Sequence, residues 1–169
     1  MRIRPAAPGD AEALTDLHLD VWDEAYAGLI AEEILRGRRD QREGRIEGWR
    51  RRIEGSEEEH FLAQDDDGAL VGFTAFTTTR GQADPCLPAR QLLALYVRAS
   101  AYGTGLGHAL LTAAIGEEPA FLWVLDGNQR AVNFYRRHGF EFDGSTKDGP
   151  VGVERRMVRR QQGRSQRAS

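Results

Sequence analysis

The sequence predicts a single α/β domain, on three observations. Apolar residues recur at helical spacing near the start, a hairpin of β-favouring segments follows, and strand and helix patterns alternate through the second half. The 169 residues are too few for two ordinary domains, so we assign residues 1–160 to one domain and expect a disordered tail over 161–169. A domain near this size buries roughly 70% of its unfolded surface, so no disulfide or metal is needed for stability.

Composition limits the function classes. Cys86 is the one cysteine, which excludes an intramolecular disulfide framework and a zinc ribbon. The chain has no apolar run of membrane-spanning length and no signal-peptide pattern, so we expect a cytoplasmic protein without membrane insertion. The net charge is −3, and because residues 155–169 carry six arginines and no acid, residues 1–154 carry −9. An acidic body disfavours nucleic-acid binding and suits a cationic small substrate.

The first third of the chain reads as one strand followed by helices. Ile3 lies in a short strand that ends at Pro5, and Asp10 stands where a helix N-cap is expected. A helical stripe follows and ends near Gly28; its members are Leu14, Leu17, His18, Val21, Trp22 and Ala25. Residues 31–54 carry an interrupted apolar stripe that predicts further helix.

The remaining elements alternate between strand and helix. Residues 60–64 and 70–78 predict a hairpin, with Asp67-Gly68 as a type I′ turn. Residues 91–98 are almost all apolar, as in a strand buried on both faces. The pattern then predicts a helix from Leu106, a buried strand over 121–125, a helix over 129–138, a short strand over 140–142 and a last strand over 151–158.

Three alternating glycines form the most informative segment, at the junction of a buried strand and an amphipathic helix. In Tyr102-Gly103-Thr104-Gly105-Leu106-Gly107-His108, backbone N–H groups can point into one concavity at a helix N-terminus, which favours a pyrophosphate. A plain tight turn is the alternative. A Walker A loop is excluded because the single lysine is Lys147. A dinucleotide fingerprint is disfavoured because it needs glycine at His108 and an earlier place in the chain.

A second motif lies where the next strand ends and a helix begins. Asn128 is placed to cap that helix, and Gly139 to end it. Tyr135 follows Asn128 by seven residues, two helical turns, so both side chains can face the same side.

Together these segments resemble the GCN5-related N-acetyltransferase (GNAT) superfamily. Leu95-Tyr96-Val97 followed by residues 103–111 is similar to its acetyl-CoA pyrophosphate motif, and residues 128–140 are similar to the next family motif, N-x-x-A-x-x-F-Y-x-x-x-G-F. The resemblance covers roughly residues 90–142, and it implies a mixed, mostly antiparallel sheet of six to seven strands flanked by about four helices.

The resemblance also implies an activity and a set of site residues. The expected reaction moves an acetyl group from acetyl-CoA directly to a primary amine, of a small molecule or a protein N-terminus. Backbone groups of residues 103–108 are expected to hold the pyrophosphate, main-chain groups near Leu95, Tyr96 and Val97 the pantetheine arm and thioester, and Asn128 the cofactor arm. Tyr135 is the expected general acid for the departing thiolate. A homodimer is a further expectation, because many similar proteins pair.

Two departures from the family pattern, at positions 102 and 91, bear on this assignment. Tyr102 stands where the family motif usually has Gln or Arg, which leaves the backbone cradle intact. Gln91 stands where similar sequences often carry a glutamate base, so the base is open between Asp23, Glu24 and a water chain past Tyr96. A non-catalytic acyl-CoA sensor is therefore the alternative function.

The acceptor side is expected at the end of the first helix. Residues 22–29 resemble the first-helix segment of many bacterial members, and Trp22, Asp23, Glu24 and Tyr26 are expected to line the acceptor site. An acidic, aromatic wall can hold an ammonium group by charge and cation–π contact. The four histidines have no metal-ligand spacing, so no metal is expected.

Overall fold

A seven-stranded mixed sheet forms the centre of the computed structural model, which describes residues 1–78 and 86–161. The strands are β1 (Arg2–Pro5), β2 (Glu59–Gln64), β3 (Leu70–Thr78), β4 (Arg90–Val97), β5 (Ala120–Leu125), β6 (Glu141–Gly149) and β7 (Gly152–Arg159). The helices are α1 (Ala11–Tyr26), α2 (Glu32–Asp40), α3 (Arg42–Glu54), α4 (Leu106–Ile115) and α5 (Gln129–Arg137). The order is β1-β2-β3-β4-β5-β7-β6, and every pairing is antiparallel except β4 with β5. The predicted fold class is confirmed.

The helices cover the two faces of the sheet because neighbouring strand residues point to opposite sides. Leu62 packs in one cluster with α1 and α3 side chains, and its neighbour Ala63 packs in another with Leu106 and Leu110 of α4. A third cluster joins α4 and α5 to β5 and β7. None of the helices in residues 1–78 and 86–161 combines the length and apolar character needed to cross a membrane.

An ion pair between Arg4 and Asp10 connects β1 to the start of α1. Asp10 precedes the helix as expected, but its carboxylate does not cap α1. It accepts two hydrogen bonds from the Arg4 guanidinium, at 2.7 and 2.8 Å, and one from the Ala7 N–H. These bonds tie β1 to the start of the helix and hold the pKa of Asp10 below its ordinary value.

Two local predictions are wrong for physical reasons. The hairpin turn is not type I′, because within it only Gly68 has a positive φ. The Asp65 carbonyl accepts a hydrogen bond from the Gly68 N–H. The Asp65 side chain stabilises this different turn by accepting from the Asp67 and Ala69 N–H groups. β4 is not buried on both faces, since Leu93 is 36% exposed. Its exposure follows from an opening in the sheet described below.

The lengths of several elements also differ from expectation. The segment 31–54 divides at Gln41 into two helices, of which α3 buries Ile46 and Trp49 and α2 buries no side chain. β6 extends well past Phe142 because it pairs with β7 as far as Gly149. Residues 162–169 of the expected tail lie outside the described residues.

The apolar stripe of α1 contributes Leu14 to the core, and a substitution there tests its contribution to stability. Leu14 is fully buried against α3 and the sheet. We expect Leu14→Ala to lower the free energy of unfolding by about 2–5 kcal/mol, because it leaves a cavity in a packed layer. Ile34→Ala is the matched control: Ile34 is 39% exposed on α2, so its effect is expected within about 0.5 kcal/mol. Urea denaturation measures the free energy of unfolding of both variants. Equal losses would contradict the burial of Leu14 between α1, α3 and the sheet.

Candidate active site

The central opening of the sheet arises where β4 and β5 separate. The two strands pair only through Arg90–Leu92 and Ala120–Leu122, so the rest of β4 has no strand partner on its β5 side. The β3–β4 register also shifts between Ala75 and Phe76, which leaves Leu93 unpaired in a bulge. A cavity of about 630 Å³ lies at this opening, lined by residues of β4, β5, α1, α4 and α5.

The glycine-rich turn forms one end of the cavity. Gly103 and Gly105 have φ values of +76° and +86°, which L side chains rarely adopt. The N–H groups of Gly107 and His108, in the first turn of α4, donate to no other group among residues 1–78 and 86–161. Unsatisfied N–H groups at a helix N-terminus attract an anion. The turn therefore has the properties of a phosphate-binding site.

At position 107 a glycine is needed for close helix packing rather than for a positive φ. A Cβ atom at this position would lie 3.2 Å from the Phe134 ring, so glycine lets α4 approach α5. Thr104 is the one predicted cofactor residue of the turn that does not line the cavity. Its hydroxyl donates to the Ala101 carbonyl at 2.8 Å, which braces the turn from behind.

Two arginines and two histidines contribute to the wall of the cavity. Arg130 lies 4.1 Å over the Tyr102 ring, and Arg137, His108 and His138 also line the wall. The His138 Nδ1 donates to the Phe134 carbonyl at 2.8 Å, and the His138 Nε2 lies 3.0 Å from the His108 Nδ1. A positive wall beside free N–H groups suits a multiply charged anion, although the chain as a whole is acidic.

Asn128 and Tyr135 both line the cavity, on the same side of α5. The Asn128 Oδ1 accepts from the Ala131 N–H at 3.2 Å, so this residue caps α5 and lines the cavity at once. Tyr135 is 8% exposed, and its hydroxyl has no hydrogen-bond partner among the described residues. Burial raises the pKa of the Tyr135 phenol above its ordinary value. The group therefore keeps its proton at neutral pH and has no partner that competes for it.

The opposite end of the cavity is aromatic. Trp22 and Tyr26 of α1 line it, together with His18, Trp49 and Tyr96. The Tyr26 and Tyr96 hydroxyl groups form a hydrogen bond of 2.9 Å. Burial and nearby arginines lower the pKa of His18 to about 3, so its ring is neutral. This end combines flat apolar walls with a few polar atoms.

Asp23 and Glu24, in contrast, lie outside the cavity lining. The Asp23 carboxylate accepts from the Arg39 guanidinium at 2.5 Å. Glu24 accepts from the Ala99 N–H at 2.5 Å and lies 3.5 Å from an Arg98 nitrogen. The helical turn directs positions 23 and 24 away from the side of Trp22 and Tyr26. Both acids therefore bind groups of neighbouring elements instead of facing the cavity.

One acid was missed by the sequence reasoning. Glu154 of β7 is the one carboxylate that lines the cavity in the described part of the chain. It lies across from Leu125 in the sheet register and pairs with the Lys147 ammonium at 3.1 Å. Its charge contributes to the raised pKa of Tyr26, which also lines the cavity. The sequence gives no sign of this role, since Glu154 lies in an ordinary alternating strand.

The geometry agrees with the comparison to known families. The model of the acetyltransferase (GNAT) domain matches residues 56–142, just over half of the chain. The chain belongs to the GNAT family. The probable N-acetyltransferase Rv2775 of Mycobacterium tuberculosis is 26% identical to this GNAT domain over 149 residues, which cover 86% of this chain and 83% of that protein. The uncharacterized N-acetyltransferase YuaI of Bacillus subtilis is 26% identical over 145 residues, which cover 82% and 79%.

Solved structures show the same GNAT fold. The PaiA N-acetyltransferase of Thermoplasma acidophilum, solved in complex with coenzyme A, has a TM-score of 0.71 at 21% identity and covers 94% of this chain and 98% of its own. The PH1933 protein of Pyrococcus horikoshii has a TM-score of 0.70 at 26% identity, with coverage of 95% and 98%. The family and the named relatives identify this GNAT domain as an acetyltransferase, an enzyme that transfers an acyl group carried by coenzyme A.

Within this GNAT domain, Gln91 takes no part in the cavity lining. It lies in β4 before the strands separate, between Thr77 of β3 and Phe121 of β5. Position 91 therefore contributes no side chain to the cavity wall.

Proposed function

We propose that this domain transfers an acetyl group from acetyl-CoA to a primary amine. The observation that carries the proposal is the Tyr135 phenol, which is buried, has a raised pKa and has no hydrogen-bond partner among the described residues, in the same cavity as the glycine-rich turn. When bound, acetyl-CoA supplies an acetyl group already activated as a thioester. The residues present fit this donor, because free N–H groups at one end and an unpaired strand edge beside it match a pyrophosphate and an amide-rich arm.

Each part of the cavity has a role in this proposal. The backbone N–H groups of residues 103–108 bind the pyrophosphate, and Arg130 beside them adds positive charge. The open edge of β4 at Leu95, Tyr96 and Val97 pairs with the pantetheine arm and donates a hydrogen bond to the thioester oxygen, where negative charge develops. Asn128 contacts the arm from the cap of α5.

Proton transfer requires an acid and a base. Attack by the amine nitrogen forms the C–N bond of the amide, and the C–S bond breaks as the sulfur leaves. Tyr135 donates its proton to that sulfur, and the Tyr135 phenolate regains a proton from the attacking nitrogen as the neutral amide forms. We assign the base to Glu154, because a carboxylate in the cavity wall can hold the acceptor ammonium and take its proton before attack.

This assignment predicts a specific loss for Glu154→Gln. We expect kcat/KM for the acceptor to fall about 100-fold, because the amide can neither attract the ammonium nor accept its proton. Steady-state rates with varied acceptor and saturating acetyl-CoA measure this effect. Glu141→Gln is the control, since Glu141 is an exposed acid of β6 outside the cavity. A Glu154→Gln enzyme with unchanged acceptor kinetics would remove Glu154 from the mechanism.

Calorimetry followed by a thiol-release assay tests the proposed function itself. The protein is titrated with acetyl-CoA, and with propionyl- and succinyl-CoA as competing donors, and then supplied with a panel of primary amines. We expect acetyl-CoA binding and release of free coenzyme A thiol with at least one amine. Binding of the donor without thiol release would favour the sensor function, and absence of acetyl-CoA binding would contradict the proposal.

A further inference from the structure

The side-chain amine of Lys147 is bound at the wall of the cavity. Lys147 is the single lysine of the chain, so it carries the one side-chain primary amine. Its Nζ lies 3.1 Å from a Glu154 carboxylate oxygen and 4.5 Å from the centre of the Trp123 ring. Glu154 and Trp123 both line the cavity. Two residues of the wall therefore already hold a primary ammonium group.

The sheet register places Lys147 on the side of β6 that faces the cavity. Lys147 lies directly opposite Glu154 of β7, and Glu154 lies directly opposite Leu125 of β5. Residues that lie opposite each other across a sheet share a face, and so do residues two apart in one strand, such as Trp123 and Leu125. Because Trp123, Leu125 and Glu154 all line the cavity, Lys147 lies on the same side of the sheet.

A close approach between β6 and β7 positions the Glu154 carboxylate. A Cβ atom at Gly149 would lie 2.8 Å from the Glu154 Cδ atom, so the glycine leaves room for this side chain against β6. The Glu154 side chain is 23% exposed, and that of Lys147 is 46% exposed. An ion pair with this much exposure is weakly stabilising, so a ligand with an ammonium group can displace Lys147.

The neighbouring arginine of β7 does not compete for Glu154. Arg156 also lies over the Trp123 ring, at 5.5 Å, but its guanidinium donates to Asp143 at 2.7 Å. In the part of the chain that the structure describes, Lys147 is the one residue that forms an ion pair with Glu154. Removal of the Lys147 ammonium would leave this carboxylate of the cavity wall without a counter-charge.

A carboxylate beside an aromatic face is a combination that binds a primary ammonium. The carboxylate accepts charge-assisted hydrogen bonds, and the face of the ring attracts the positive charge. An alkyl amine carries a proton near neutral pH, as a lysine side chain does, so an acceptor needs the same contacts before it loses that proton. The Lys147 ammonium therefore occupies the contacts that an acceptor ammonium requires at Glu154.

We propose that Glu154 and Trp123 form the binding site for the ammonium group of the acceptor, and that the acceptor displaces Lys147 from it. The ligand class is a primary alkylammonium, which is the group that Lys147 itself presents there. Lys147 thereby competes with the acceptor and raises the concentration of acceptor required. The proposal rests on the proposed function for the fate of the amine, but displacement of Lys147 can be measured without turnover.

Nuclear magnetic resonance of the single lysine tests the displacement directly. The full chain is labelled with lysine that carries ¹³C at Cε, which gives one lysine signal, and the ring current of Trp123 is expected to shift this signal upfield from that of free lysine. Titration with n-hexylamine is expected to move the signal towards the free-lysine position. The controls 1-hexanol and sodium chloride, at equal concentrations, are expected to leave it in place. A signal that does not respond to n-hexylamine, or that responds equally to sodium chloride, would overturn the proposal.

Calorimetric titration with n-hexylamine measures the competition. We expect Lys147→Met to bind n-hexylamine about 5-fold more tightly than the wild type, because Glu154 then lacks its internal partner. Trp123→Leu is expected to bind about 5-fold more weakly, and Trp123→Phe, which keeps an aromatic face, to recover most of that loss. Arg155→Met is the control: it removes one positive charge from β7, but Arg155 pairs with Asp126 outside the cavity lining. Equal affinities in the wild type and Lys147→Met, or an equal gain in Arg155→Met, would overturn the proposal.

The outcomes separate this proposal from the proposed function. Displacement of Lys147 by n-hexylamine, combined with no thiol release from any amine, would support the ammonium site and contradict acetyl transfer. Thiol release with an amine that leaves the Lys147 signal in place would overturn the ammonium site while acetyl transfer stands.

Discussion

Tyr135→Phe is expected to lower kcat about 100-fold while the Kd for acetyl-CoA stays unchanged, because the variant removes the proposed general acid and little else. The phenol makes no hydrogen bond to the described residues, so its loss leaves no protein group unpaired. The ring keeps its edge contacts with Phe134, at 5.2 Å, and Phe140, at 5.7 Å between ring centroids. The variant therefore separates chemistry from folding.

Steady-state rates between pH 6 and 10 and calorimetric titration with acetyl-CoA measure this prediction. A pKa raised above the ordinary value of 10.0 means that Tyr135 stays protonated across this range, so it contributes no alkaline loss of kcat. Tyr102→Phe is the control, since Tyr102 lies under Arg130 at the phosphate end of the same cavity. A Tyr135→Phe enzyme with the kcat of the wild type would show that the thiolate leaves without this proton.

Gly105→Ala is expected to raise the Kd for acetyl-CoA at least 10-fold. Gly105 precedes α4 with a φ of +86°, and a Cβ there would meet no atom within 4 Å, so the strain lies in the backbone alone. Relief of that strain turns the peptide groups on either side of Gly105 and misdirects the N–H groups proposed to bind the pyrophosphate.

Gly68→Ala is a closely matched control. Gly68 has the same φ of +86° and the same open surroundings, but it lies in the β2–β3 hairpin away from the cavity. Both variants are expected to lose about 1–2 kcal/mol of stability from the left-handed conformation. Only Gly105→Ala should weaken acetyl-CoA binding in calorimetry. An equal loss of affinity in both variants, or in neither, would contradict the phosphate-binding role of the turn.

Much of the candidate site follows from local sequence. Gly103 and Gly105 adopt the positive φ that an alternating-glycine turn requires, and Asn128 caps α5 as its position predicts. Tyr135 reaches the same cavity because seven residues complete two helical turns. Each of these features depends on neighbours within a few residues along the chain.

Other features depend on contacts between distant segments. Leu93 is exposed because β4 and β5 separate after a short parallel pairing, which an apolar run cannot reveal. Asp23 satisfies Arg39 rather than facing the cavity, and this depends on where α2 packs. Glu154 enters the cavity wall through its register opposite Leu125.

The α/β class, the order of the elements, the glycine-rich turn and the shared side of Asn128 and Tyr135 could be predicted from the amino-acid sequence, because periodicity, capping and backbone conformation are local properties. Which charged side chains lie at the cavity, and which form ion pairs elsewhere, depends on how distant segments pack. Ion pairing depends on distances of a few ångströms between residues far apart in the chain. For that reason Glu154 lies in the cavity wall, while Asp23 binds Arg39 and Glu24 binds the Ala99 N–H outside it.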